Sequence, residues 1–158
     1  MRTLIVYDSL HGNTEKIAQA IGGALGGEVS VRQAGGAGDV AEVKTFDLLI
    51  VGSPTHGGWF TEAIKGWLDQ VPATALQGIR VAAFDTRTPP TRLGRLFGYA
   101  APRIADRLEK KGGTLLAPPA GFFVKGIKGP LNEGEFERAA GWAQEIVQLG
   151  RGVPEARQ

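Results

Sequence analysis

Ile5-Val6-Tyr7-Asp8-Ser9-Leu10-His11-Gly12-Asn13-Thr14-Glu15 decides how this chain is read. An apolar run of strand character breaks into a short loop of small polar residues, and a helical pattern starts at once. In an α/β protein such a junction gathers backbone N–H groups, hydroxyls and the positive end of a helix at one point. That arrangement suits a phosphate.

Outward from this junction, strand-like and helix-like segments alternate. Thr3–Tyr7 reads as a buried strand, and Asn13 to about Leu25 as an amphipathic helix with Ile17, Ala18 and Ile21 inward. Glu28–Arg32 alternates polar and apolar residues as a strand near a sheet edge does, whereas Phe46–Gly52 is a fully apolar strand. Thr61–Gln70 sets Ile64, Trp67 and Leu68 on one helical face, and Ile79–Phe84 is another buried strand. A long loop leads to a helix clearest over Pro102–Lys111, with Pro102 in its first turn. Thr114–Ala117 and Gly121–Val124 read as one edge strand split by Pro118-Pro119. The last helix opens at Asn132, with Glu135 spaced for a capping box, and runs to about Leu149. Residues 1–149 are expected to form one domain and 150–158 a disordered tail.

Strands alternating with helices, the inner strands nearly all apolar, predict a three-layer α/β fold with helices on both faces of a parallel sheet. For a five-stranded sheet of order 2-1-3-4-5, the ligand sits at the carboxyl ends of the strands where strand order reverses. The loops that converge there are Ser9–Thr14, Ser53–Phe60 and Asp85–Arg92. They are also the most chemically peculiar segments of the chain.

Composition narrows the possibilities. The 158 residues include no cysteine, which excludes disulfides, thiolate nucleophiles and Cys-ligated metal. No run approaches the roughly 18 apolar residues of a membrane span, and a cytoplasmic location is the expectation. Net charge is +2, but residues 1–79 carry 5 basic and 8 acidic groups while 80–158 carry 13 and 8. The excess gathers around Arg87, Arg92, Arg95, Arg103 and Arg107, either as a solvated face or as a rim for an anionic ligand or acidic partner. It lacks interleaved aromatics and any nucleic-acid motif, so nucleic acid is not expected.

The first loop resembles the phosphate loop of flavodoxins, through Ser9, Gly12, Asn13 and Thr14, with Leu10 and His11 where that family usually carries threonine. The second, Gly52-Ser53-Pro54-Thr55-His56-Gly57-Gly58-Trp59-Phe60, looks like the corresponding loop of the broader flavodoxin-like family, including its NAD(P)H:quinone reductases. The resemblance implies FMN as cofactor. It assigns Ser9, Leu10, His11, Gly12, Asn13 and Thr14 to the phosphate side, and Ser53, Pro54, Thr55, His56 and Gly57 to the ring. Trp59 is either a stacking residue or packing beneath the helix. The third loop departs from the family, which commonly has a stacking tyrosine there; position alone puts Asp85, Thr86 and Arg87 beside the ring, and Tyr99 lies further along.

The activity implied is electron transfer through the flavin to a redox partner protein or small electron acceptor. The alternative is an FMN-dependent NAD(P)H:quinone-type oxidoreductase, with Arg87 and Arg92 on the phosphates of NAD(P)H; a flavin-free interaction module is a third class. With arginine in the third loop, a positive charge about 8 Å from the flavin would contribute roughly 2 kcal/mol at an effective dielectric of about 20, less where solvent reaches it. For one electron that is about 90 mV upward, so the flavin would be less strongly reducing than in typical, acidic flavodoxins.

Other readings of the fold fail on residues. A phosphoacceptor receiver needs an acidic pair after the first strand and an Asp ending the third, where this chain has a lone Asp8 and Gly52-Ser53. A P-loop motif is absent. Gly36-Ala37-Gly38-Asp39-Val40-Ala41 matches a relaxed dinucleotide fingerprint but follows the second strand and reads as a glycine-rich linker. His11 and His56 lack a clear third ligand for a metal.

Overall fold

The computed structural model describes residues 1–38, 40–90 and 92–152. Asp39 of the glycine-rich linker, Thr91 of the third loop and residues 153–158 of the expected tail lie outside the described residues. The elements are β1 (Arg2–Tyr7), α1 (Asn13–Leu25), β2 (Glu28–Gln33), β3 (Leu48–Pro54), α2 (Glu62–Gln70), β4 (Arg80–Arg87), α3 (Arg92–Phe97), α4 (Ala100–Lys110), β5 (Thr114–Leu115), β6 (Ala120–Phe123) and α5 (Glu135–Gly152). Two 3₁₀ segments, Ala34–Gly36 and Val40–Thr45, join β2 to β3. Among the described residues no helix is long and apolar enough to cross a membrane.

The sheet has the order β2-β1-β3-β4-β5 and is parallel throughout, with β6 also paired to β4. β5 and β6 are the two halves of the expected split edge strand. Val81 pairs with Leu115, the Leu116 N–H still donates to the Val81 carbonyl at 3.0 Å, and Phe84 pairs with Ala120, so residues 117–119 leave the edge where Pro118 and Pro119 cannot donate to the ladder.

Side chains alternate across the pleat and build a separate core on each face. Leu4 and Val6, Leu49 and Val51, and Val81 and Ala83 point to the side covered by Ile64, Trp67 and Leu68 of α2 and Ile104 and Leu108 of α4. Ile5 and Tyr7, Leu48 and Ile50, and Ala82 and Phe84 point to the other, under Ile17 and Ile21 of α1 and Trp142 and Ile146 of α5. Phe84, Phe122 and Trp142 meet edge to face there, with centroids 6.1–6.2 Å apart.

Four details differ from the sequence expectation. β4 continues past Phe84 to Arg87, because Asp85 and Thr86 pair with Ser53 and Pro54 on one side and with Gly121 and Phe122 on the other. A short helix, α3, forms within the expected long loop. The capping box of the last helix does not close. Glu135 is the first residue of α5, and its carboxylate accepts the Phe123 N–H at 2.7 Å and a bond from the Arg138 guanidinium. α5 also runs on to Gly152, past the expected end near Leu149.

Close approach of β3 and β4 depends on Gly52. A Cβ there would lie 2.1 Å from Cζ of Phe84, a ring with no exposure. Gly52→Ala should therefore destabilise the fold by about 1–3 kcal/mol through overpacking. The drop should appear as a lower urea midpoint with an unchanged slope, and Phe84→Leu in the same chain should recover part of it.

Candidate functional site

The loops at the carboxyl ends of β1, β3, β4 and β6 enclose a cavity of about 230 Å³. It adjoins a second of about 150 Å³ that shares Thr55, Gly57, Arg87 and Thr88. Together they fall within the ~300–1,000 Å³ of ordinary ligand clefts.

The first wall is the turn Ser9–Thr14. Gly12 takes φ +89°, which turns the chain into α1. The Ser9 hydroxyl accepts the N–H groups of Gly12 and Glu15 at 3.0 and 3.3 Å, so Ser9 partly caps the helix and keeps its own proton to donate. The N–H groups of Leu10, His11, Asn13 and Thr14 have no acceptor among the described residues. Thr14 Oγ1 lies 2.8 Å from Thr86 Oγ1, joining this turn to β4. Beneath it, burial and then the nearby Glu15 push the Tyr7 phenol above its ordinary pKa, which keeps it neutral.

The second wall is a two-residue hairpin. His56 and Trp59 exchange both backbone bonds at 2.9 Å, and Gly57 and Gly58 take φ +55° and +85°, as a type I′ turn requires. Gly58 is also steric: a Cβ would lie 2.1 Å from the Phe97 carbonyl oxygen. Arg103 clamps this contact, donating to the carbonyls of Gly58 and Phe97 at 2.7 and 2.8 Å while stacking 4.0 Å over Trp59.

The third wall is the end of β4. Asp85 has no exposure. Its carboxylate takes two bonds from Arg87, at 2.7 and 2.8 Å, and accepts the Ala101 N–H of α4 at 2.9 Å. Thr55 Oγ1 accepts the neighbouring Ala100 N–H at 2.9 Å. The positive end of α4 is thus satisfied inside the protein. The Arg87 guanidinium also lies 3.7 Å over the Tyr99 ring, in space that only a glycine at 121 leaves open. Arg87 is therefore no free positive charge, and the upward push on a flavin expected from it is largely offset by Asp85.

The structure brings together most of the residues singled out from sequence. Ser9, Leu10, His11, Asn13, Thr14, Pro54, Thr55, His56, Gly57, Thr86 and Arg87 line the larger cavity. Gly12, Ser53, Trp59 and Asp85 do not. Gly12 shapes the turn. Ser53 is buried, donating to the Pro54 carbonyl and accepting the Thr61 N–H. Trp59 is 54% exposed beyond the rim, under Arg103. Asp85 lies beneath Arg87.

Sequence reading missed a fourth wall, Val124 and Ile127. These belong to a turn in which Val124 bridges Leu131 and the Gly129 N–H bonds the Gly126 carbonyl at 2.9 Å. Gly129, at φ +93°, packs so tightly on Asn13 that a Cβ would meet its amide at 2.7 Å. The cluster Gly126, Gly129 and Pro130 after an apolar strand was the available signal. The smaller cavity adds Pro89, Pro90, Phe97, Gly98 and Tyr99.

Comparison with known proteins joins this geometry to a family. A Flavodoxin domain model matches residues 4–124. The chain belongs to the flavodoxin family. It is 29% identical to Flavodoxin 1 of Escherichia coli K12 over 139 residues, 85% of this chain and 77% of that protein. Oxidised Flavodoxin 2 from Bacillus cereus superimposes with a TM-score of 0.79 at 26% identity, covering 94% of this chain and 99% of that one. Rubredoxin oxygen:oxidoreductase from Desulfovibrio gigas shares the fold over 96% of this chain but 36% of its own length, with a TM-score of 0.74 and 21% identity. Flavodoxin family and fold together support flavin-mediated electron transfer in general.

The Asp85–Arg87 pair invites a stability test. Asp85→Asn should cost about 3 kcal/mol, because it leaves the Arg87 side chain, only 16% exposed, without its anion. Arg87→Met added to that variant should recover a large part of the loss in thermal melts.

Proposed function

We propose that the chain binds FMN and works as an electron carrier. The observation that carries this reading is the set of N–H groups at Leu10, His11, Asn13 and Thr14 that have no acceptor among the described residues, on residues that line one cavity with Ser9 and Thr86. Such a donor set fits a phosphate monoester without any cation, because the helix N-terminus supplies part of the positive potential. The donors form a polar cup at one end of the cleft, and the other end is a groove between the Gly57-Gly58 turn and the residues Pro89, Pro90, Phe97, Gly98 and Tyr99. A ligand with a phosphate at one end and a flat ring at the other matches both. When bound, FMN would supply the one- and two-electron chemistry, while the protein sets its potential and access.

Ser9–Thr14 would hold the phosphate, and Pro54–Gly57 and Thr88 would border the ring. Arg87 would sit at the junction of the two cavities, its Nη1 donors unpaired among the described residues. Its commitment to Asp85 weakens the case for a nicotinamide phosphate site there, which favours a carrier over an NAD(P)H:quinone-type reductase.

Titration with FMN and with riboflavin, followed by flavin fluorescence quenching, tests the reading. FMN should bind at least about 100-fold more tightly, equivalent to ~2.7 kcal/mol from the phosphate contacts. Equal affinity for the two, or no binding, would overturn it. Mixing the FMN-loaded protein with NADPH should leave the flavin absorbance unchanged over minutes, whereas rapid bleaching would favour the reductase.

A further inference from the structure

Five of the most exposed large apolar side chains stand around this cleft: Leu10 at 55%, Trp59 at 54%, Leu96 at 81%, Phe97 at 58% and Ile127 at 72%. They come from three loops and the short helix α3, and Leu10, Ile127 and Phe97 line the cavities themselves. Solvated apolar residues scattered singly need no explanation, but a ring of them about a cleft marks a contact surface. The charges on the same loops have one dominant sign. Arg92 and Arg95 on α3, and Lys125 and Lys128 on either side of Ile127, are exposed and make no ion pair among the described residues. The carboxylates beside the cleft, Asp8 and Asp85, are buried, while the exposed Glu15 and Glu62 stand in the first turns of α1 and α2, and the exposed Glu133 lies further along the segment that carries Lys125 and Lys128.

We infer that this rim docks an acidic protein, an electron donor or acceptor whose own apolar contact patch is bordered by carboxylates. The apolar residues would form the dry centre of the contact and the four unpaired cations its charged border, the arrangement common to protein interfaces. Complementary charge would chiefly set the encounter rate and the choice of partner. An anionic membrane suits the surface less well, because the apolar side chains ring a concave mouth instead of forming one continuous face of an amphipathic helix. The inference rests on the FMN reading, since the docked protein would exchange single electrons with the flavin; with the cytochrome c probe used below, the electron lost by the reduced flavin is the one that takes ferric haem to ferrous.

Native cytochrome c, which is basic, and cytochrome c with succinylated lysines, which is acidic, give a matched pair of probes. The FMN-loaded protein, reduced with dithionite and freed of excess, is mixed with each in a stopped-flow instrument at rising ionic strength. The acidic form should be reduced about tenfold faster at low salt, and its advantage should fade as salt screens the rim. Arg92→Glu with Arg95→Glu, or Lys125→Glu with Lys128→Glu, should reverse the preference while FMN affinity and the flavin spectrum stay unchanged. Leu96→Ser should slow both probes at high salt.

A preference for native cytochrome c, rates independent of salt, or unchanged rates in the charge-reversed variants would overturn the inference. So would cosedimentation with phosphatidylserine vesicles that the same variants abolish, or a dimer whose formation covers the rim. Failure to bind FMN would instead refute the function proposed above, and it is read before any electron-transfer measurement is made.

Discussion

A single carboxylate with no exposure, that of Asp85, ties three parts of the structure together. It extends from β4, accepts the first turn of α4 and holds the Arg87 guanidinium in a fixed plane. Because it satisfies the N-terminus of α4 from within, the anion-binding capacity of the carboxyl-end face is left to the turn before α1. Arg87, held flat, packs on Gly121 and under Tyr99, so the edge strand and the segment after α3 are positioned by the same pair. The second and third walls meet through this network, since Thr55 and Asp85 accept neighbouring N–H groups at the start of α4.

Most of the fold was legible because hydrophobic alternation and the two loop signatures survive in the linear sequence. Each β strand of the interior announces itself as an apolar run, and the period-two alternation that feeds two cores is visible in Leu4–Tyr7 and Leu48–Val51. The end of β4 was not legible. Asp85, Thr86 and Arg87 look like loop residues by hydropathy, yet they are strand residues whose polarity is satisfied by one another and by α4. Glu135 failed as a capping-box residue for a related reason: a tertiary partner, the Phe123 N–H, outcompeted the local one.

The same distinction explains the candidate site. Residues at the turn before α1 were legible because their role is local, set by helix-entry geometry. Val124 and Ile127 were not, since they reach the cleft only by tight packing of Gly129 on Asn13, residues more than a hundred positions apart. Ser53 and Asp85 have the right chemistry at the right strand ends, but their side chains point into the protein. Position along a strand fixes the end of the sheet; the pleat fixes whether a residue meets the ligand or the core.

The contact between Thr14 and Thr86 has a further consequence. Two hydroxyls 2.8 Å apart hold one proton between them and one to spare. Either oxygen can be the donor, so the spare proton can be presented from α1 or from β4 by rotation about two C–O bonds, with no heavy atom moving. The cleft thus has a reversible hydrogen-bond polarity at its floor, a small degree of freedom in an otherwise tightly braced wall. Through it the site could match an acceptor on either side without repacking.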